Sequence, residues 1–333
     1  TITSLEGGYL MVGQTNNDDD IIRKVDARGQ TEWDYVTPAY HNKLGLVQVP
    51  ADSTYLVLYQ ISRADSTIFI LRLDQNGQAI STHNAPLRTL VYRYAYPNDG
   101  AAVKATLTSD NHLLIGGSAH NPVDSTSYLA VAKLTLTGQV LWERVYNNTG
   151  FNTIAGMITT MDHASGNYWL VGSTAEGYAL SNGGANYTRS KVIVVAVDTS
   201  GAEQWRQVHS VGRSDFIRGV LATQDDGLLV TGGSFKPGGV MPTGFVFKLD
   251  NQGNDEWTWW SPVLGTPGHI NHGAEHPDGS FTVTGDNSYP GGTLEVARLA
   301  ATGNEVWSRG LRTGFSRELG RESVVDPLGQ GYA

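Results

Sequence analysis

The sequence contains no cysteine in its 333 residues. Disulfide bonds, thiolate metal sites, iron–sulfur clusters and cysteine nucleophiles are therefore excluded. Charged residues are scarce, at 17% against a typical share of about 25%. A coiled coil would need far more Glu, Lys, Ala and Leu. No apolar run reaches the roughly 18 residues that a membrane-spanning helix needs, so none is predicted.

Positive charge is also limited, because 23 Lys and Arg face 32 Asp and Glu, giving a net charge of −9. This balance argues against nucleic acid or an anionic membrane as the main partner. The 40 glycines are nearly twice the usual share of about 7%. With 40% hydrophobic residues, the chain has enough apolar side chains to build a core.

One phrase recurs along the chain: an apolar strand, a turn of the form Asp-x-x-Gly, and a Trp four residues after the glycine. Two copies replace the Asp, and the second copy has Ser81 where the Trp would stand. The glycines recur at intervals of 48 to 63 residues. They are Gly29, Gly77, Gly138, Gly201, Gly253 and Gly303, and the tryptophans are Trp33, Trp142, Trp205, Trp257 and Trp307.

A second short apolar strand, preceded by a turn, comes before each copy of this phrase, so each unit reads as four strands, A to D. Four-stranded units of this length predict an all-β fold, a β-propeller. Residues 323–333 repeat residues 2–10, which adds the start of a seventh unit. We therefore expect seven blades, with six as the alternative, in a single domain covering residues 1–333 and belonging to a longer protein.

The recurrent Trp has two interpretations. A large ring fills the gap between twisted sheets, which predicts a packing wedge between neighbouring blades, with the glycines in the turns. A ligand site built on Trp is the rival interpretation.

The repeats resemble the glycine-rich propeller repeats of secreted and cell-surface proteins of Bacteroidota, many of which carry a type IX secretion sorting domain. The resemblance rests on residues 7–13, which read Gly-Gly-Tyr-Leu-Met-Val-Gly, and on the later Lys-Val-Asp-x-x-Gly-x-x-x-Trp of residues 24–33. It covers nearly the whole chain and implies export, with an outer-membrane-associated or extracellular location. No sorting domain is visible in residues 1–333, which leaves the export route open.

Propeller geometry places the B–C and D–A loops on one face, and in this sequence those segments vary in length. Functional residues concentrate on variable loops held by a rigid scaffold. Candidate binding residues are Tyr92, Tyr94, Tyr96, Arg213 and Arg317 around these loops, and Trp259 and Trp260 on strand D. The alternatives are a packed aromatic strand face for the tyrosines, a covered outer strand for the Trp pair, and ion pairs between blades for the arginines.

Three sets of residues offer candidate metal ligands. His272 and His276 match the H-x-x-E-H pattern of inverted zinc proteases, but that pattern needs a helix and this segment reads as a strand. His269 with His272 is a second option, a metal site in the central channel. The acidic residues 16–20 offer oxygen ligands for calcium without any known calcium-loop spacing. We expect no cofactor, with calcium as the one option kept open.

No G-x-S-x-G, P-loop, HExxH or dinucleotide-binding fingerprint occurs. The expected function is a non-enzymatic binding or structural propeller that presents the B–C and D–A loops to a protein or a carbohydrate. The alternative is a secreted hydrolase, lyase or dehydrogenase with its site at the mouth of the central channel. An architectural subunit of a larger surface complex is the third possibility. The sequence predicts neither a nucleic-acid partner nor a membrane span.

Overall fold

The fold was established from a computed structural model of the chain. It describes residues 2–3, 7–14, 20–37, 42–60, 67–87, 105–120, 127–146, 153–163, 166–179, 185–236, 242–262, 268–287 and 293–311. These residues form 24 β-strands. In this part of the chain no helix is long and apolar enough to cross a membrane.

The strands form six antiparallel four-stranded sheets, which we call blades 1 to 6, and each blade uses four consecutive strands in order. Blade 1 contains β1 Ile2–Thr3, β2 Tyr9–Gln14, β3 Asp20–Val25 and β4 Thr31–Thr37. Blade 2 contains β5 Asn42–Val49, β6 Thr54–Gln60, β7 Thr67–Leu73 and β8 Ala79–Pro86. Blade 3 contains β9 Ala105–Leu107, β10 Leu113–His120, β11 Ser127–Leu134 and β12 Val140–Tyr146.

Blade 4 contains β13 Thr153–Asp162, β14 Tyr168–Ala179, β15 Ala185–Val197 and β16 Glu203–His209. Blade 5 contains β17 Asp215–Ala222, β18 Leu228–Phe235, β19 Pro242–Leu249 and β20 Asp255–Trp260. Blade 6 contains β21 Gly268–Glu275, β22 Phe281–Asn287, β23 Leu294–Leu299 and β24 Glu305–Leu311. The first strands of consecutive blades contact each other, so strand A is the inner strand of the propeller.

The predicted all-β propeller of four-stranded blades is therefore confirmed. The described residues supply six blades, so the favoured count of seven is not confirmed. Residues 323–333, on which the seventh blade depended, lie outside the described residues.

The core is divided among five apolar clusters, each shared by two consecutive blades. The cluster of blades 4 and 5, for example, contains Trp169, Val194, Phe245 and Leu249. Strand C of the central blades is buried on both faces, which explains its continuous run of apolar residues instead of an alternating pattern.

The C–D turns have a common structure that follows from the Asp-x-x-Gly sequence. In the turn of blade 1, the carbonyl oxygen of Asp26 accepts a hydrogen bond from the amide of Gly29, at 3.0 Å. The carboxylate of Asp26 accepts two more, from the amides of Arg28 and Gln30, each at 2.8 Å. The six turn glycines all have φ between +77° and +85°, a conformation in which a Cβ atom is unfavourable.

A β-bulge follows each of these turns, because one extra residue stands in strand D where it pairs with strand C. In blade 5, Lys248 pairs with Trp257 and Leu249 pairs with Asp255, so Glu256 is the extra residue. All six blades have this irregularity, and the extra residue is exposed each time. The bulge shifts the side-chain alternation by one residue and so directs the Trp toward the neighbouring blade.

Candidate functional site

Five seams join consecutive blades, and four are closed by a Trp of strand D. The indole of Trp33 lies against the C–D turn of blade 2 and donates a hydrogen bond to the carbonyl of Gln75, at 2.8 Å. A Cβ atom on Gly77 would lie 2.6 Å from the ring of Trp33. Only glycine therefore fits this turn position.

The other wedges repeat this arrangement with small variations. The indole of Trp142 donates to the carbonyl of Thr199 at 3.0 Å, and the indole of Trp257 donates to that of Ala301 at 3.0 Å. The rings lie over Gly201 and Gly303, respectively. Trp205 lies over Gly253 and packs edge-on against Trp169, with ring centroids 5.1 Å apart. Blade 2 has no Trp wedge, and the backbone of its Asn84 covers Gly138 instead.

An ion pair inside four of the blades, between a largely buried cation of strand C and an exposed acid of the A–B turn, was missed by the sequence reasoning. Lys133 of strand C is 5% exposed and lies 2.5 Å from Asp110 of the A–B turn. Its ammonium also donates to the hydroxyl of Tyr168 in the next blade, at 2.7 Å. Burial alone would raise the pKa of Asp110, but hydrogen bonds from Lys133, Thr108 and His112 outweigh it and lower this pKa to about 2.

Equivalent pairs hold three other blades, formed by Arg72 with Asp52, Lys248 with Asp225, and Arg298 with Asp278. The signal in the sequence of these four blades was the cation that precedes the C–D turn together with an acid in the A–B turn about 20 residues earlier. The cation belongs to the repeated phrase, whereas the acid that pairs with it was not recognised in the sequence.

Blade 5 illustrates the face that carries the variable loops. The connection from blade 4 to blade 5, residues 210–214, lies wholly within the described residues. The carboxylate of Asp215 fixes this connection by accepting hydrogen bonds from the amides of Val211 and Gly212, at 2.9 and 2.8 Å. The hydroxyl of Ser234 donates a third, at 2.5 Å. Burial raises the pKa of Asp215, and these hydrogen bonds oppose that rise.

Two separate cation–aromatic pairs lie near this anchored connection, Arg213 with Phe235 and Lys236 with Trp260, and we call the four residues the blade-5 cluster. The guanidinium of the exposed Arg213 lies 4.9 Å from the centroid of the Phe235 ring. The ammonium of Lys236, also exposed, lies 5.9 Å from the centroid of Trp260. Trp260 is half-buried, since it packs against the core cluster of blades 4 and 5 and is partly accessible to solvent. In each pair the positive charge lies over the face of the aromatic ring, which is the geometry of a cation–π interaction.

Trp259 has a different environment from its neighbour Trp260. It is 8% exposed, belongs to the core cluster of blades 5 and 6, and donates from its indole to Glu305 at 3.1 Å. Of the Trp pair proposed from the sequence, the structure therefore places only Trp260 at the surface. Alternation along strand D explains the difference, because successive side chains point to opposite faces.

Glu295 lies beside this seam and is fully buried. Its carboxyl accepts a hydrogen bond from the hydroxyl of Ser261 at 2.5 Å, and in the described part of the chain its Oε1 has no hydrogen-bond partner. Burial raises the pKa of Glu295 to about 7, against the opposing effect of the Ser261 hydrogen bond. The charge of Glu305 contributes to the rise.

The structure places the remaining candidates as follows. His269 and His272 lie on strand β21, and His276 follows it, where its Nε2 contacts the hydroxyl of Thr282 at 2.8 Å. Among the described residues no three His, Asp or Glu side chains are grouped so as to hold a metal ion. Tyr92, Tyr94, Tyr96 and Arg317, and residues 16–19 of the acidic loop, lie outside the described residues.

Comparison with known proteins supports the fold and leaves the function open. No family model matches the chain, and no curated protein matches it. Among solved structures, hydrazine synthase of Kuenenia stuttgartiensis is similar, with 12% identity, a TM-score of 0.58, and coverage of 99% of this chain and 92% of that chain. An apocarotenoid oxygenase of Synechocystis shares 10% identity, with a TM-score of 0.53 and coverage of 96% and 74%.

A protein of unknown function from Bacteroides caccae shares 13% identity, with a TM-score of 0.49 and coverage of 93% of this chain and 96% of that chain. Identities of this size show the fold alone.

Proposed function

We propose that the protein is a non-enzymatic binding or structural β-propeller that presents its B–C and D–A loops to a protein or a carbohydrate. Support comes from the division of the molecule into a rigid part and a variable part. The seams and turns are fixed by wedges, glycines and ion pairs, whereas the connections on one face differ in length. Recognition residues placed on loops of this kind keep a fixed geometry at little entropic cost.

The blade-5 cluster is the observation that carries the proposal. Trp260 offers a flat apolar surface of the kind that stacks on a sugar ring or an aromatic side chain, and aromatic residues are enriched at binding hot spots. Arg213 and Lys236 add two positive charges on a protein whose net charge is −9. The cluster therefore suits a partner that carries a carboxylate beside an apolar surface.

The experiment is a screen of the purified protein on glycan and peptide arrays, followed by affinity measurements on three variants. We expect Arg213→Ser, Lys236→Ser and Trp260→Ala each to weaken binding of the selected ligand at least about tenfold. Arg206→Ser is the matched control, because Arg206 pairs with Glu203 on strand β16, away from this cluster. Binding that survives all three changes, or that the control weakens equally, would place the partner elsewhere.

An enzyme is the second candidate, and Glu295 is the observation that favours it. A carboxyl group with a pKa of about 7 is suited to general acid–base catalysis. Its complete burial favours a structural role, since a catalytic acid must reach its substrate. Turnover of an ester, glycan or peptide substrate that is lost in Glu295→Gln, while the melting temperature is kept, would support the enzyme.

The location and the assembly state are further parts of the proposal. The resemblance to glycine-rich repeats of Bacteroidota supports export to the cell surface or the medium, through type IX secretion or another route. A role as a subunit of a larger surface complex is a separate option, which a buried interface above about 1,000 Å² with another chain would favour. Detection of the protein on intact cells or in the medium, by an antibody raised against it, tests the location. The proposal includes no cofactor; calcium at residues 16–20 is the one option kept open, and calorimetric titration tests it.

A further inference from the structure

Strand β8, the outer strand of blade 2, differs from the other outer strands in its charge. Each of the other five contains two charged side chains, either an acid with a base or two acids. They are Glu32 and Asp34, Glu143 and Arg144, Glu203 and Arg206, Asp255 and Glu256, and Glu305 and Arg309. Strand β8 reads Ala-Ile-Ser-Thr-His-Asn-Ala-Pro and contains no Asp, Glu, Lys or Arg. Charged side chains on an edge strand oppose pairing with another chain, so β8 lacks a protection that the other five have.

Strand β8 is also accessible along most of its length. The sheet order of blade 2 places it last, after β7, so one of its edges lies on the rim of the propeller. Five of its eight residues are exposed, and Ile80 is 55% exposed. Ile80 occupies the bulge position that Glu32 and Glu256 occupy in blades 1 and 5. The rim therefore presents an apolar side chain here, where those two blades present a carboxylate.

The segment of β8 that can pair with another strand has defined ends. At one end, the bulge at Ile80 interrupts the regular strand. At the other end the C–D turn of blade 3 touches the backbone, since a Cβ atom on Gly138 would lie 2.9 Å from the carbonyl oxygen of Asn84. Ser81 allows this close approach because it occupies the position of the Trp wedge. Residues 81–84 lie between the two ends and match a partner strand of about four residues, roughly 13 Å long.

A cleft of about 250 Å³ lies at this segment. The residues that line it come from blade 2 and from the C–D turn of blade 3, and they are Phe69, Thr82, His83, Asn84 and Thr137. The ring of Phe69 stacks on the ring of Tyr59, with centroids 5.5 Å apart and planes 15° from parallel. The cleft therefore offers an aromatic ring that is held by a second ring, together with hydroxyl, imidazole and amide groups.

We propose that β8 is a docking edge for an extended, uncharged segment of a partner protein. This segment adds to blade 2 as a fifth strand and places one aromatic side chain in the cleft. A strand that pairs with a sheet edge gains main-chain hydrogen bonds, and pockets beside the edge select its side chains. The docking edge goes beyond the proposed function, because it lies on the rim and is separate from the blade-5 cluster.

The chemistry of the partner follows from the chemistry of the edge. Phe69 favours an aromatic side chain, since two rings attract each other beyond the area that they bury. A charged side chain would lose part of its hydration in the cleft, and neither β8 nor the lining residues supply an acid, a lysine or an arginine to pair with it. An uncharged segment with an aromatic residue therefore fits this edge better than an acidic or a basic one.

The first experiment selects short random peptides displayed on phage, with the native protein as the bait. The test variant is Thr82→Lys, which adds a charge in the middle of the edge, as natural edge strands do. Thr258→Lys on β20 is the matched control, because Thr258 is exposed and directly follows the Trp position, as Thr82 does in β8. Both threonines are exposed, so each variant should melt within about 2 °C of the native protein.

We expect the selected peptides to be uncharged and to share an aromatic residue. They should bind Thr82→Lys at least about tenfold more weakly than the native protein and bind Thr258→Lys with unchanged affinity. A selection in which no peptide distinguishes Thr82→Lys from the native protein would overturn the proposal. Peptides that lose affinity only in Thr258→Lys would place binding at blade 5, which would overturn the docking edge while leaving the proposed function intact.

The second experiment asks whether a selected peptide binds as a strand, using N-methylated forms of it. An N-methyl group removes a backbone donor, and only alternate residues of a strand direct their N–H toward one neighbour. We expect methylation at alternate residues to weaken binding about five- to tenfold and methylation at the residues between them to change it much less. Equal effects at every position would contradict strand pairing.

Pairing of β8 with β8 of a second copy of the chain is the competing arrangement. Sedimentation equilibrium distinguishes the two, and we expect the native protein and Thr82→Lys to have the same molar mass. A native dimer that Thr82→Lys dissociates would overturn the choice of a segment from another protein.

Discussion

At the scale of single residues, the turn glycines have two separate reasons to be glycine. One is the positive φ, which costs about 1 kcal/mol in any residue with a Cβ atom. The other is the close approach of a neighbouring ring, which applies to Gly77 beneath Trp33 but not to Gly29. These two positions have nearly the same φ, +77° and +79°, and so separate the two effects.

We therefore predict that Gly77→Ala lowers the free energy of unfolding by about 2–4 kcal/mol and Gly29→Ala by about 1 kcal/mol. The difference arises from the clash of the new methyl group with the indole of Trp33. Urea unfolding followed by Trp fluorescence measures both. Equal losses for the two variants would show that the ring yields and that only φ matters.

Glu295 gives a prediction for the dependence of stability on pH. Its ordinary pKa is 4.5, and burial raises it to about 7 in the folded protein. Below pH 4.5 the carboxyl group is protonated in both the folded and the unfolded state, so its ionisation does not lower the free energy of unfolding. Between pH 4.5 and 7 the unfolded chain ionises while the folded one does not, so the free energy of unfolding falls as pH rises. Above pH 7 the loss, about 3 kcal/mol, is complete.

Glu295→Gln removes this titration, so the variant should gain stability relative to the native protein across pH 4.5 to 7 and show no gain at pH 4. Unfolding by urea at a series of pH values measures the difference. Glu203→Gln is the control, because Glu203 is exposed. A difference between native protein and Glu295→Gln that stays constant from pH 4 to 8 would contradict the raised pKa.

At the scale of elements, the C–D turn combines a capping Asp, a glycine and a bulge. Asp250 accepts hydrogen bonds from the amides of Gln252 and Asn254, each at 2.8 Å. The turn of blade 6 has Ala300 at this position and therefore lacks both bonds, although its backbone hydrogen bonds are the same. The chain therefore contains the same turn both with and without the two hydrogen bonds to an Asp side chain.

We predict that Asp250→Ala lowers the free energy of unfolding by about 1 kcal/mol and that Ala300→Asp raises it by a similar amount. Asp250→Asn, which keeps an acceptor oxygen, should cost less than Asp250→Ala. Thermal unfolding monitored by circular dichroism measures all three. Destabilisation by Ala300→Asp would show that the turn of blade 6 differs from the others.

The elements were predictable from the sequence to the extent that they rest on local rules. The turn phrase and the short apolar strands indicated four-stranded blades because strand period, turn glycine and Trp spacing are all local signals. The Lys133–Asp110 pair was not found, since its members are 23 residues apart and a single sequence does not show which acid meets which cation. The different burial of Trp259 and Trp260 depends on the bulge register, which residue types do not reveal.

At the scale of the whole molecule, blades 2 to 5 each have two neighbours, whereas in the described residues blades 1 and 6 have one. Stability in a repeat array is approximately a sum of unit and interface terms, so the units with one interface open most easily. We predict that amide hydrogens of β23 in blade 6 exchange faster than those of β11 and β15 in blades 3 and 4.

Hydrogen exchange measured by mass spectrometry tests this gradient. Val131 in β11 and Val296 in β23 provide matched strand-C positions, with Val131 buried and Val296 half-buried. Uniform protection around all six blades would indicate that every blade has two neighbours in solution.

In five of the six repeats the Trp follows the turn glycine by four residues, and this constant distance determines where the protein tolerates insertions. Adding one residue there would turn the indole away from the adjacent sheet, so insertions on that side break a joint between blades. The connections on the opposite side already differ in length without altering any joint. New peptide segments can therefore be grafted onto that side alone, and the protein is a one-sided display platform by construction.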